Sequence, residues 1–452
     1  MKSIFLFRRD LRPFDNIGLN KCLEESDKVY PIFIFTPTQI KNNPYKSSNC
    51  VQFMIESLEE LSKKLKLNLF YGSNEDVIEE IIKKEKINSI YTNTDYTPFA
   101  VKRDNNLQKL CDKYNVKLSL SHDICLYEPG TIKTQSGSAY QKFTPFYNEV
   151  LPKKVSKPKK PKKSVKENTY KLKNKFSIQI KDTKKFYKHN PNNNVKGGRT
   201  EAKKILESIK DFKDYNKMRD LLSQETTHLS AYNKFGCVSI REVYHSIKKK
   251  FGIKHSLIRQ LIWRDFYYHL GFAYPRVIGG PLKEQYGNIK WSGDKKTLDA
   301  WKEGKTGFPI VDAGMRQLLS TGYMHNRARL IVASFLIKNL QHNWLDGEKF
   351  FAQQLVDYDV LVNNGNWQWV AGTGADSQPY FRIFNPWSQS QKFDKEADYI
   401  KKWIPELKDI PAKDIHNWEK TYSKHKVDYP SPIIDYKKSR ELALDMYKKA
   451  LK

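Results

Sequence analysis

Asp357-Tyr358-Asp359, followed by Asn363-Asn364-Gly365-Asn366-Trp367-Gln368-Trp369, crowds carboxylates, amides and indoles into a segment that otherwise reads apolar. Two aspartates this close could serve a metal or acid–base chemistry, but no His or Glu stands at the spacing those roles usually need. Buried carboxylates otherwise require a charge partner or several donors. Arg329, or a ligand carrying N–H groups, would meet that need. Arg329 lies in Tyr323-Met324-His325-Asn326-Arg327-Ala328-Arg329-Leu330. Read as a helix, this stretch puts Tyr323, Asn326, Arg327 and Leu330 on one face and His325 with Arg329 on another. A helix that offers Asn and Arg beside aromatic and aliphatic groups lines a polar pocket more plausibly than a dry core. In Arg259–Asp265, Gln260, Trp263 and Arg264 fall on one side. Trp is a flat surface on which a base can stack, Gln can bond a base edge, and Arg can pair with phosphate or carboxylate.

The elements that must position these residues divide the chain of 452 residues in two. Its first part alternates strand-like runs (Ile4–Phe7, Val29–Phe35, Leu67–Tyr71, Ser89–Thr92, Lys117–Ser121) with amphipathic stretches such as Cys50–Leu65. That pattern predicts an α/β domain with a parallel, Rossmann-like sheet over residues 1–130. No GxGxxG follows the first strand, so ordinary dinucleotide binding is not indicated. Residues 131–195 contain KPKKPKKSVK (Lys157–Lys166), His189–Asn194 and Gly197–Gly198 just beyond, and are expected to form a basic, solvated interdomain linker. From 196 to 452 apolar residues recur at three and four, predicting an all-α domain.

A net charge of +30 favours a polyanionic partner, although a lysine-rich composition contributes to it. No apolar run approaches the roughly 18 residues of a membrane span. The N-terminus lacks the features of a signal peptide, and five scattered cysteines suit a reducing compartment. The expectation is a monomer within the cell, cytoplasmic or nuclear and not secreted.

FRRDLRPFDN (Phe7–Asn16), LIWRDFYYHL, WKEGKTGFPIVDAGMRQL (Trp301–Leu318), GYMHNRAR and NNGNWQWVAGTGADSQPYFRIFNP (Asn363–Pro386) occur in this order. With these motifs the sequence resembles the DNA photolyase/cryptochrome family over nearly its whole length. The resemblance implies an antenna domain, a linker and a helical domain holding FAD in its reduced state. A second antenna chromophore is implied too, with folate, deazaflavin and flavin left open. Carried over by position, Tyr215, Thr226, Thr227, His228, Leu229, Ser230, Arg264, Arg329, Asp357, Asp359 and Asn363 would hold the cofactor, with Arg329 pairing Asp357 and Asn363 facing flavin N5. Trp367, Trp344 and Trp301 would pass electrons stepwise outward to solvent. Arg219, Gln260, Trp263, Asn326, Arg327, Trp369 and Arg382 would face ultraviolet-damaged DNA. Gln260 and Asn326 would act on the lesion, which must leave the base stack to be reached.

The (6-4) branch of the family uses two histidines where this chain has Asn326 and Leu330, which points to light-driven splitting of cyclobutane pyrimidine dimers. The dimer-specific pattern usually has Glu at Gln260, Met at Leu330 and Trp at Tyr323, so this chain departs from it at three places. A blue-light cryptochrome and, further off, a (6-4) photolyase are the alternatives.

Overall fold

The computed structural model describes residues 1–451. Five strands form its parallel sheet: β1 (Lys2–Leu6), β2 (Lys28–Phe35), β3 (Asn68–Tyr71), β4 (Ser89–Asn93) and β5 (Lys117–Ser121). They lie in the order β5-β4-β1-β2-β3, with Ile4 opposite both Tyr30 and Ile90. Near-continuous apolar runs such as Val29–Phe35 are what a strand covered on both faces requires. The covering helices are α1 (Ile17–Glu25), α2 (Ser48–Ser62), α3 (Asn74–Glu85) and α4 (Pro98–Lys113). Each starts on a side-chain cap, respectively Asn16, Ser47, Ser73 and Thr97, that accepts a first-turn N–H. All five cysteines are buried and unbridged.

The segment expected to be a solvated linker is built into the fold. Ser177–Ile178 (β6) adds to β3 as an antiparallel edge strand, while Thr169 and Thr183 are fully buried and Phe186 packs in the core. Even the lysine-rich stretch is tied down by its main chain, since the Lys159 N–H donates to the Asp15 carboxylate at 2.9 Å and the Lys159 carbonyl accepts from the Asp15 N–H at 3.0 Å. Lysine content hid this anchoring, because main-chain hydrogen bonds leave no mark on composition.

Beyond β6 no strand occurs among the described residues. The helices that matter for the site are α5 (Phe143–Val150), α6 (Leu229–Phe235), α7 (Ile240–Phe251), α8 (Ser256–Ala273), α9 (Asn326–Ser334), α10 (Trp344–Gln354) and α11 (Val360–Ala371). No helix of the described residues is long and apolar enough to cross a membrane.

One apolar core runs from the sheet into the helical half, joining Phe5, Phe53 and Leu19 to Phe235, Val243 and Phe266. Buried ion pairs cross the same boundary. Arg241 of α7 reaches both Asp15 (2.9 Å) and Asp123 (2.7 Å), and Arg12 on the sheet side shares Asp123 at 2.6 Å. Ser239, the cap of α7, donates to Asp15 at 2.5 Å. The two halves are one packed body.

Candidate active site

A cavity of about 450 Å³ opens among α6, α8, α9 and α11, within the range of small-molecule sites. Tyr215, Thr226, Thr227, His228, Leu229 and Ser230 line one side of it. His228 adopts a left-handed backbone (φ 49°) and shares hydrogen bonds with Glu225 (2.6 Å) and Asn194 (2.9 Å). Two polar atoms on the lining, Arg219 Nε and Asn233 Oδ1, are buried without any hydrogen-bond partner. Such atoms are costly unless a ligand completes them. Threonine and serine hydroxyls, a lysine, a free guanidinium N–H and a free amide oxygen together fit a phosphate- and nucleoside-bearing cofactor.

Asp357, Asp359, Asn363, Trp367 and Trp369 line the same cavity, with Arg264 and Arg329. Arg329 Nη2 donates to both Asp357 oxygens at 3.0 and 3.2 Å, so the expected pair is present. Asp359 caps α11 and accepts from Tyr268 at 2.6 Å and from Arg9. Burial alone would lift its carboxyl, but Arg9, Arg264 and the Tyr268 hydroxyl outweigh that and hold it down at about 2.

The start of α9 corrects the face drawn from sequence. Gly322 terminates the preceding helix with φ 66° and His325 caps the next, so the helix begins only at Asn326. Asn326, Arg329, Leu330 and Ala333 therefore form the lining face, and Tyr323 reaches the cavity from the connecting turn. Arg327, expected beside Asn326, does not itself line the cavity; it pairs at 2.9 Å with Asp220, which does, and lies over Phe393.

Gln260 and Trp263 line the mouth. One face of Trp263 lies flat on Phe143 of α5, with centroids 3.7 Å apart and planes 3° from parallel, so a single face remains for another ring. Arg382 is exposed, bonded to Gln378 outside the cavity.

Of the three tryptophans read as a chain to solvent, only Trp367 touches the cavity. A methyl at Gly347 would stand 2.2 Å from Trp367 Cη2, so that indole rests on α10, whose first residue is Trp344. Trp301 contacts Trp367 directly (6.3 Å, near perpendicular) but is 0% exposed. Its position gives an electron no outlet, and the outward direction drawn through it does not hold. Trp291, which the sequence reading missed, is partly exposed in the same core. Ser292 and Gly293 bond Gln341 O at 3.2 and 3.1 Å, pinning this loop three residues from Trp344.

Glu348 was also missed. It is 3% exposed and does not line the cavity, yet it accepts from the Asn363 amide at 3.0 Å and from Tyr358 at 3.2 Å. The Asn363 amide also donates to the Glu348 carbonyl at 3.3 Å. Both N–H bonds of Asn363 are thus occupied behind the wall, leaving its oxygen for the cavity.

Residues 3–164 match the family model described as DNA photolyase, and residues 257–449 match the FAD binding domain of DNA photolyase. The deoxyribodipyrimidine photo-lyase of Buchnera aphidicola is 37% identical over 99% of this chain and 97% of its own. This chain is a member of the DNA photolyase family. Its fold also matches the crystal structure of an archaeal photolyase from Sulfolobus tokodaii with two FAD molecules (TM-score 0.89, 42% identity, 99% and 100% covered). A Synechocystis cryptochrome superposes equally well (TM-score 0.90, 26% identity, 99% of each chain), so the photolyase fold does not by itself separate repair from signalling.

Proposed function

We propose that this photolyase splits cyclobutane pyrimidine dimers in ultraviolet-damaged DNA, using light and an FAD held in the cavity. One observation carries the reading: a single cavity joins a phosphate- and nucleoside-compatible wall and a charged wall to a mouth bearing Gln260, Asn326, Trp263 and Trp369. Bound there in its reduced state, FAD supplies the electron that opens the dimer on illumination. The residues of the chain hold and orient. Thr226, Thr227 and Ser230 present hydroxyls to phosphate, while Arg329, Asp357 and Asp359 fix the charged side of the site. The open face of Trp263 and the Trp369 indole give an extruded dimer surfaces to stack on, a contribution of about 1–3 kcal/mol per base in single-strand binders. Gln260 and Asn326 donate amide N–H groups to base carbonyls without offering a titratable proton. Arg219, Arg327 and Arg382 serve the DNA side. Flipping costs least at a lesion that is already poorly paired, which favours damaged over intact sites.

The routes for electrons supplied from solution run through Trp367 and Trp344, with Trp291 as the outlet. Among antenna chromophores, flavin is favoured, because the Sulfolobus tokodaii photolyase holds two FAD molecules and matches the whole chain. Between α3, α4 and the end of β1, Arg8 Nη2 and Arg103 Nη2 lack hydrogen-bond partners beside a small cleft, the donor type that an anionic chromophore needs. The protein acts as a monomer inside the cell.

Purified protein with FAD, chemically reduced, is the material for the test, with ultraviolet-irradiated oligothymidylate as substrate. Light-dependent loss of cyclobutane dimers, with (6-4) products untouched, is the expected result. Loss of (6-4) products instead would replace the lesion assignment. FAD uptake with no repair of either lesion would turn the reading to a cryptochrome.

A further inference from the structure

The turn after β1 runs beneath the cavity. Leu11 N donates to Phe235 O of α6 at 3.0 Å, and Arg12 donates to Gly236 O at 3.2 Å. Gly236 has φ 61°, and a methyl there would stand 2.4 Å from the Arg9 carbonyl. The approach is too close for any side chain, so the turn and α6 are fitted to each other. At the tip of this turn Arg9 reaches from the α/β domain into the helical half. Its Nη2 donates to Asp359 and, at 2.7 Å, to the Tyr268 hydroxyl; its Nε donates to Lys234 O at 3.2 Å. Nη1 stands 3.5 Å from Asp95, in the loop after β4. Both Lys234 and Asp359 line the cavity, whereas Arg9 does not.

We propose that Arg9 is a positioning residue of the cofactor site: supplied by the α/β domain, it aims Asp359 at the cavity and balances its charge, so the antenna domain sets FAD affinity and the reduction potential of the bound flavin. The inference rests on the reading of the cavity as an FAD site. Physically, a carboxylate 6% exposed needs a cation at contact to offset its burial, and any charge left unbalanced there acts on a ligand in the cavity. Arg264 and, more weakly, Lys234 are the other cations near Asp359, but Arg264 Nη1 is committed to Ile124 O at 2.7 Å and its guanidinium lies over the Tyr268 ring. The guanidinium fork of Arg9 spans Asp359 and Asp95 at once, which an ammonium could not reproduce. In this assignment the N-terminal domain has a second task besides light harvesting.

Charge bookkeeping yields signed expectations. Arg9→Met leaves a net negative charge beside a reduced, anionic flavin, so the potential should fall and FAD should bind at least tenfold more weakly. Asp359→Asn should raise the potential. The double variant Arg9→Met/Asp359→Asn restores the charge sum and should return near wild type. Each tenfold change in the ratio of affinities for the two oxidation states appears as about 30 mV for a two-electron couple. Arg9→Lys should fall between Met and wild type.

The experiment measures FAD dissociation by flavin fluorescence, potential by dye-coupled redox titration, and thermal unfolding, on the full chain. Ser239→Ala, which removes the interdomain bond to Asp15 away from the cavity, is the control. A residue that merely glues the domains would lower the melting temperature in both Arg9→Met and Ser239→Ala and leave the potential where it was. Wild-type affinity and potential in Arg9→Met would overturn the proposal. Should that variant not fold, Asp359→Asn and the double variant decide: equal potentials in the two would overturn it as well. A wild type that takes up no FAD would instead bring down the reading of the cavity.

Discussion

Glu348→Leu isolates the role of the Asn363 amide, because Glu348 stands behind the cavity wall. In the wild-type chain the Asn363 N–H bonds go to Glu348 Oε1 (3.0 Å) and to the Glu348 carbonyl (3.3 Å), which presents Asn363 Oδ1 to the cavity. With FAD bound as proposed, an oxygen there would accept from the N5–H of a reduced flavin, whereas a flipped amide would offer a donor that suits the unprotonated N5 of the oxidised one. The bias between the two orientations comes chiefly from the hydrogen bond to the carboxylate, about 1.5–3 kcal/mol for a charged acceptor. Leucine removes that acceptor and keeps the volume. Preference for the reduced over the oxidised cofactor should then fall by about tenfold to a hundredfold. That corresponds to a drop of about 30–60 mV in a two-electron couple. Glu348→Gln loses the charge but keeps an oxygen for Asn363 and Tyr358, which both donate to Oε1, so it should show about half of that drop. Redox titration of the FAD-loaded variants measures both. A potential in Glu348→Leu equal to wild type, with FAD bound, would refute the assignment of Glu348 as the residue that orients Asn363.

Arg329→Met should cost about 2 to 3 kcal/mol in the FAD-loaded protein, below the roughly 3–5 kcal/mol for breaking a fully buried pair, because Arg329 is 24% exposed while Asp357 is 5% exposed. Chemical unfolding should show this loss, and Arg329→Met/Asp357→Asn should recover most of it. Asp265 gives a pH dependence: burial pushes its carboxyl up to about 7 against the pull of Arg264 and two backbone N–H donors. The folded state then holds that proton more tightly than the unfolded chain does, a contribution fully present below about pH 4 and lost as pH rises through 7. Asp265→Asn should narrow the fall in melting temperature between about pH 5 and pH 8; an unchanged fall would reject the assignment. Trp367→Phe should slow light-driven reduction of oxidised FAD by about tenfold or more, equivalent to about 1.4 kcal/mol on the limiting step, and spare repair by pre-reduced protein. Trp291→Phe should do the same and Trp301→Phe should not, if the outlet is as drawn.

What the sequence discloses follows from how far each contact reaches along the chain. The five parallel strands were legible because burial on both faces leaves unbroken apolar runs, and every end agreed within two residues. β6 left no such trace: two residues, Ser177 and Ile178, pair through their main chain, and a strand that short has no period. The lining of the cavity was largely legible as well, since Asp357, Asn363 and Trp367 are polar or aromatic groups inside an apolar stretch. The error at α9 was one of phase. Helical spacing counted from Tyr323 put Arg327 on the lining face, whereas counting from the His325 cap puts Arg329 there.

The residues that were not legible all act through a partner that sequence cannot place. Glu348 reads as a charged residue on a helix until Asn363, 15 residues on, is folded back against it. Arg9 reads as part of a basic turn, and its partner Asp359 lies 350 residues away in the other domain. Trp291 has no aromatic neighbour in sequence, and only folding sets it against Tyr447 and ties its loop, through Ser292 and Gly293, to Gln341 ahead of α10. These three share a physical property. Each fixes the charge, the donor direction or the outlet of a group that itself touches the cavity or leads from it, so each requires tertiary contact before it means anything. A reading from residue type finds the groups that face the cofactor, because their chemistry is out of place in an apolar segment. The groups that tune them look ordinary where they stand, and only the fold distinguishes them from any other buried Glu, Arg or Trp.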